Sequence, residues 1–324
     1  MFQASVTTQE PEWAWSEKNQ QQSKHALAEQ VLSLVLAKIN VLSEDSQQKL
    51  NPVHFDRILN YIQLNQTIEM VLPAFPAKSS NPEKTMGNLP DMGEVLALKF
   101  LQTLCEKIKS IYAPGAQVII CSDGRVFSDL VLVDDTDVTA YGQQIEAAIK
   151  DLNLSHLKTF NLDDVFSGLS YAQMREQLVS FYGRSIDEIR DSVKSDVAAK
   201  SLFNGIHRFI LEDQMVIGEA GSKNQVSKRS KQIAYQVIQR SNAWSDLVKR
   251  QFPETLRLSI HPQDKSSEKL GIKLVRSGDQ WRTPWHSVAL YDGRNYMLVQ
   301  RKAAEALGAK PRMFQEKYAY YSLV

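Results

Sequence analysis

Apolar residues recur at helical spacing early in the chain. Between Lys24 and Asn40, Leu27, Val31, Leu34, Val35 and Ile39 share one face, and Ser23 is placed to cap that helix. Asn51-Pro52 opens a second helical stretch. The segment Leu72-Pro73-Ala74-Phe75-Pro76-Ala77-Lys78-Ser79-Ser80-Asn81-Pro82 breaks the pattern, because its prolines remove backbone donors and clash with a preceding turn; it predicts an extended loop carrying Lys78. Asp91 then caps a helix whose buried face is Val95, Leu98, Leu101, Cys105, Ile108 and Tyr112, stopped at Pro114-Gly115. Gln117 to Cys121 reads differently. It is β-branched and nearly continuous in apolar residues, as expected of a strand buried on both faces in a sheet covered by helices.

After a polar turn, Leu130 to Val133 is apolar again, and Thr136 to Leu152 returns to helical spacing through Val138, Tyr141, Ile145, Ala148 and Ile149. A short extended piece follows at Leu157 to Leu162. Alternation of helix and strand predicts an α/β fold, a Rossmann-like mixed sheet flanked by helices. Residues 163 to about 252 form a large helical excursion, in which Ser185-Ile186-Asp187-Glu188 has the spacing of a capping box. Strands are expected again at Leu256 to His261 and Gly271 to Arg276, with a C-terminal β-hairpin from Ser287 to Tyr291 and Asn295 to Gln300 turned by Asp292-Gly293. A last helix, Lys302 to Leu307, stops at Gly308. Residues 1–23 lack periodicity and read as a mobile leader with Trp13 or Trp15 docked, ahead of a single domain over 24–324. There is no internal repeat.

Charge narrows the partners. With 38 basic and 37 acidic residues the formal net charge is +1, which gives no electrostatic case for nucleic acid or an anionic membrane. The one basic run, Lys228-Arg229-Ser230-Lys231, is short. Cys105 and Cys121 both sit in apolar patterns, as reduced core thiols do. No window approaches the roughly 20 apolar residues that span a bilayer, and the expectation is a soluble, cytoplasmic protein.

Candidate chemistry gathers at the ends of strands. Where the strand ending at Cys121 stops, the Ser122 hydroxyl, the backbone N–H groups around Gly124 and the Arg125 guanidinium could cradle a phosphate or carboxylate, with Asp123 as base or sugar-hydroxyl acceptor. An ordinary Asp-Gly turn has the same sequence. Arg229 extends the apolar stripe of Ile233, Val237, Trp244 and Val248 at a helix N-terminus, where it needs an anion, either a ligand or a structural partner. In Leu256-Arg257-Leu258-Ser259-Ile260-His261-Pro262, alternation places Arg257, Ser259 and His261 on one face, with His261 at a strand tip; His286 in Thr283-Pro284-Trp285-His286-Ser287 starts another strand. No His-x-x-x-His pair points to zinc, and neither the Gly-x-Gly-x-x-Gly nor the Walker loop is present, so the expectation is no metal and no cofactor. Arginines, lysine, histidines and one aspartate suit an anionic substrate and proton transfer.

These residues fall in blocks that resemble the isonitrile (isocyanide) synthases of the pyoverdine-cluster/dityrosine family, and in particular its bacterial single-domain members. The blocks are Phe75-Pro76-Ala77-Lys78-Ser79, Pro90-Asp91-Met92-Gly93-Glu94, Tyr112-Ala113-Pro114-Gly115-Ala116, Ser122-Asp123-Gly124-Arg125-Val126-Phe127, Arg257-Leu258-Ser259-Ile260-His261 and Thr283-Pro284-Trp285-His286, in one order over roughly residues 70 to 300. The resemblance implies a cofactor-free lyase of secondary metabolism that condenses the α-amine of L-tyrosine, or next L-tryptophan, with ribulose 5-phosphate, whose C2 becomes the isonitrile carbon. It also implies a pathway partner, an oxygenase dependent on iron and 2-oxoglutarate. On this reading Arg125, Arg229 and Arg257, with Ser122 and Gly124, bind phosphate or carboxylate, Lys78 supplies charge or a base, and Asp123, His261 and His286 move protons. The alternatives are a phosphosugar lyase or isomerase with no amino-acid substrate, and a non-catalytic phosphometabolite-binding protein.

Overall fold

The computed structural model describes residues 12–42, 49–218 and 220–324. Its first helix, α1, runs Glu12–Leu36 and so begins well before Ser23. The Glu, Gln, Lys and Ala of its first half are good helix formers, and helix propensity needs no amphipathic stripe. The side chains of Trp13 and Trp15, and the leader before Glu12, lie outside the described residues. Helix α2 (Val53–Gln63) lies against α1 through buried Ile58 and Ile62. Strand β1 (Ile68–Pro73) follows, then the proline loop, and then α3 (Met92–Ile111), which Asp91 and Glu94 start with a reciprocal capping box.

Strand β2 (Ala116–Cys121) leads into the short helix α4 (Gly124–Phe127), then α5 (Asp135–Asp151) and β3 (Leu157–Phe160). The helical excursion comprises α6 (Tyr171–Tyr182), α7 (Ile186–Ser195), α8 (Val197–Val216) and α9 (Lys223–Gln251). Ser185 and Glu188 form the expected box on α7. Strand β4 (Leu256–Ser259) returns the chain to the sheet and β5 (Leu270–Gly271) ends it. The strand expected over Gly271 to Arg276 ends after Gly271, although the Ile272 N–H still donates to the Ser259 carbonyl and Ile272 bridges Ile39; glycine is needed at 271 because the Asn40 carbonyl lies 2.0 Å from where a Cβ would stand.

The main sheet is parallel, in the order β3-β2-β1-β4-β5. Alternate residues serve its two faces. Met70, Leu72, Val118, Ile120, Leu256 and Leu258 join the core under α1 and α3. Val71, Ile119 and Cys121 meet Trp244 and Leu247 of α9 and Met174 and Leu178 of α6. Burial on both faces is why β2 reads as an unbroken apolar run.

A second, mixed sheet holds β6 (Val288–Tyr291), β7 (Tyr296–Val299), β8 (Lys310–Phe314) and β9 (Tyr318–Ser322), in the order β7-β6-β9-β8. The hairpin β6–β7 pairs Tyr291 with Tyr296 as its pattern predicts, and α10 (Arg301–Ala306) ends before Gly308 at φ 76°. β8 is largely exposed and carries Pro311, an edge-strand composition that hides the hairpin with β9 from a reading of hydrophobic pattern.

Candidate active site

The chain runs outward from β1 through β2 to β3 and then returns to the other side of β1 with β4, so strand order reverses between β1 and β4. In open α/β sheets the carboxyl ends of strands at such a reversal frame a crevice, because the crossovers leave in opposite directions. A cavity of about 370 Å³ lies there, walled by Pro76 after β1, Asp123 after β2, and Ile260 and His261 after β4. Helices α8 and α9 close its far side through Phe209 and Val237. The segment preceding β6 contributes Trp281, Trp285 and His286.

Three sequence candidates therefore meet at one cavity. Asp123 has a buried carboxylate oxygen with no hydrogen-bond partner, and burial pushes its pKa up to about 7 against a small opposing effect of its own backbone N–H. His261 stands against the Trp281 ring at 5.4 Å between centroids, its Nδ1 is buried without a partner, and burial followed by the Lys269 charge brings its pKa down to about 4. His286 packs edge-on to Phe209 at 4.1 Å. Burial first, then the charges of Lys84, Lys78 and His261, hold it well below the ordinary imidazole value. Near neutral pH both imidazoles are thus free bases, while Asp123 can accept and return a proton.

Gly124 explains how Asp123 reaches the cavity. A Cβ at position 124 would lie 2.0 Å from the Pro76 carbonyl oxygen, so the turn after β2 can press against the loop after β1 only with glycine there.

The other candidates point elsewhere. Ser122 donates to the Phe75 carbonyl at 2.9 Å and faces a second cavity, of about 150 Å³, between β2, β3 and α5. Arg125 faces that same cavity. It lies 3.7 Å over the Tyr171 ring, donates to the Asp135 carbonyl and the Thr139 hydroxyl, and approaches Asp163 at 3.4 Å. Arg257 is on the α9 face of the sheet, where it donates to the carbonyl and hydroxyl of Ser245. Arg229, half-buried on α9, does not line the main cavity. Lys78 is fully buried away from it, 2.7 Å from Glu94, 2.9 Å from Asp91 and 3.1 Å from the Pro284 carbonyl. The two carboxylates raise its pKa against the effect of burial.

Several lining residues carry no local signal in the sequence. Phe209 and Arg208 lie within the helical excursion, and Lys84, Trp281 and Arg282 within irregular segments. Only tertiary packing turns them inward; Trp281, next to Arg282 and shortly before Trp285-His286, was the nearest thing to a signal. Among the described residues no group of three His, Cys, Asp or Glu side chains is arranged to hold a metal ion, and no helix is long and apolar enough to cross a membrane.

Known proteins resemble the chain in sequence and in fold. A sequence profile described as "Pyoverdine/dityrosine biosynthesis protein" matches residues 58–310. The chain is 46% identical over 294 residues to the L-tryptophan isonitrile synthase AmbI2 of Fischerella ambigua, covering 89% of each chain. It is 42% identical over 268 residues to an L-tyrosine isonitrile synthase of Xenorhabdus nematophila, covering 82% of this chain and 80% of that one. The crystal structure of the PvcA protein from Pseudomonas aeruginosa superposes with a TM-score of 0.86 at 37% identity, over 92% of this chain and 99% of that one.

Proposed function

The chain belongs to the pyoverdine/dityrosine biosynthesis family, and on that premise we propose that it is an isonitrile synthase acting on an aromatic L-amino acid with ribulose 5-phosphate. One observation carries the reading: a buried carboxyl with one oxygen left unpartnered, titrating near neutrality, shares a single cavity with two neutral imidazoles at the strand-order reversal. Structural carboxylates are paired, and an unpaired one is costly unless chemistry needs it.

The reaction begins when the neutral α-amine attacks the C2 ketone of the sugar phosphate. A proton leaves nitrogen as the bond forms, and another must reach the hydroxyl that departs as water when the imine closes. Asp123, titrating near 7, suits this exchange. His261 and His286, as free bases, take protons from the sugar hydroxyls and return them as the two carbon–carbon bonds beside C2 are cleaved: one neighbour leaves as an aldehyde with the electron pair remaining on C2, the other leaves with its pair and takes up a proton, and C2 stays on nitrogen at its original oxidation level. Carbon–nitrogen bond formation, proton transfer and carbon–carbon cleavage are all steps that positioned acids and bases can assist.

The amino-acid side chain occupies the aromatic wall of Phe127, Phe209, Trp281 and Trp285. Such a wall has room for an indole, and with the identity to a tryptophan enzyme it favours L-tryptophan; L-tyrosine, preferred on the sequence, is the second reading. An oxygenase dependent on iron and 2-oxoglutarate is the proposed consumer of the product. The test incubates the enzyme with ribulose 5-phosphate labelled at C2 and both amino acids in competition. Label in the isonitrile carbon, on the indole product first, is expected; release of sugar fragments with no labelled amino-acid product would assign the site to a phosphosugar lyase instead.

A further inference from the structure

The cations lining the cavity differ in how their donors are occupied. Lys84 is fully compensated, since its ammonium lies 2.8 Å from Asp213 and 3.2 Å from Glu212. Among the described residues, Arg208 on α8 and Arg282, before β6, share one carboxylate, that of Asp279. Its Oδ2 is 3.6 Å from one guanidinium and 3.9 Å from the other, both beyond hydrogen-bond length. The Oδ1 of Asp279 is taken by the Trp281 backbone N–H at 2.9 Å. Two forked donors thus share one half-occupied carboxylate and have N–H groups to spare beside the cavity that all three residues line, while the second carboxylate on Lys84, Glu212, balances the charge of the set as a whole.

We infer that Arg208 and Arg282 form the clamp for the sugar phosphate, with Asp279 holding the two guanidiniums apart. The inference rests on the proposed sugar-phosphate substrate and locates the end of it that does not react. Depth argues for phosphate over the amino-acid carboxylate. The carboxylate is attached to the carbon bearing the reacting nitrogen and must go wherever Asp123 is. The phosphate is separated from C2 by the rest of the sugar and can remain at the rim, where Arg208 is 60% exposed while Arg282 is 23%. Planar guanidiniums bind phosphate oxygens in pairs, which fixes the direction of the sugar as well as its presence.

The experiment measures binding of inorganic phosphate, ribulose 5-phosphate and L-tryptophan by calorimetry in the wild type, Arg208→Met, Arg282→Met and the double variant, with thermal melts to verify folding. Each single change is expected to weaken both phosphate ligands about 10- to 100-fold, as loss of charge-assisted hydrogen bonds does, with tryptophan binding unchanged. Arg282→Lys keeps the charge but loses the fork, and should recover only part of the affinity. Folded variants that bind inorganic phosphate as the wild type does overturn the clamp, and so does an equal loss of tryptophan binding. A wild type whose inorganic phosphate binding depends on both arginines but which does not bind ribulose 5-phosphate keeps the anion clamp and removes the proposed substrate.

Discussion

Two buried polar clusters lie one loop apart in this protein and have opposite characters. In the first, Lys78 joins Asp91 and Glu94, and the Tyr141 hydroxyl donates to Glu94 at 3.2 Å; the lysine is neutralised and tied to α3 and to the Pro284 carbonyl. In the second, the His286 and His261 rings pack against Phe209 and Trp281, and buried polar atoms of Asp123 and His261 go without a partner, whereas the buried Oδ2 of Asp91 has the Lys78 ammonium at 2.9 Å. Burial alone separates nothing here. What distinguishes them is that the first cluster closes on itself and the second opens onto a cavity, so only the second has bonding capacity left for a substrate. The first positions the second, because Lys78 follows Pro76 and binds the carbonyl just before Trp285-His286.

The largest test of this contrast is Asp123→Asn. Turnover should fall by about 10²- to 10⁴-fold, the usual effect of removing an acid–base group. Stability should move the other way. Burial raises the carboxyl pKa from 3.8 to about 7, so its neutral form contributes fully below pH 4 and that contribution is lost as pH rises through 7. The variant should therefore melt roughly a few degrees above the wild type at pH 8 and close to it at pH 4. Full activity in the variant would move the site away from Asp123.

Lys78→Met should do the reverse, costing about 3–5 kcal/mol in denaturant unfolding by leaving Asp91 and Glu94 uncompensated in the interior. Adding Glu94→Gln should return part of that loss, since the two positions are coupled. A Lys78→Met enzyme as stable as the wild type but inactive would make the lysine a participant and erase the distinction.

Gly124→Ala probes the joint between the loops. The added methyl meets the Pro76 carbonyl and should cost about 1–3 kcal/mol, lowering turnover as Asp123 is displaced. Smallest is Trp281→Ala, which removes part of the aromatic wall. A loss of about 10-fold in kcat/KM for tryptophan is expected, with stability nearly unchanged; an equal loss for both aromatic substrates would show that the ring serves His261 and not the side-chain slot.

Legibility followed the same line. Asp123, His261 and His286 could be read because each follows or precedes a strand, and strand ends of an α/β sheet converge. Arg125 and Arg257 have equally suggestive neighbours in the chain, yet Arg125 turns toward Tyr171 and Arg257 toward Ser245. Position two residues along a turn does not say which way a side chain leaves the backbone. Lys78 was legible as an unusual residue in a rigid loop, but its partners are 13 and 16 residues on, across a capping box whose inward face the pattern leaves open. Arg208 carries no signal, since an exposed arginine on a helix has the same pattern whatever faces it, Phe209 is one more apolar residue of that helix, and Arg282 lies in an irregular segment with no periodicity to place it.

By itself the sequence determined the alternation of helices and strands, the doubly buried β2, the caps at Asp91 and Ser185, and the family blocks. The elements and caps depend on neighbours within a turn or two, where spacing and intrinsic propensity suffice, and the blocks on their order along the chain. The tertiary structure alone decided which polar groups are paired and which remain open, because pairing joins residues far apart in the chain. Lys78 meets Pro284, Arg208 meets Asp279, and Asp123 meets a cavity whose opposite wall begins near residue 205.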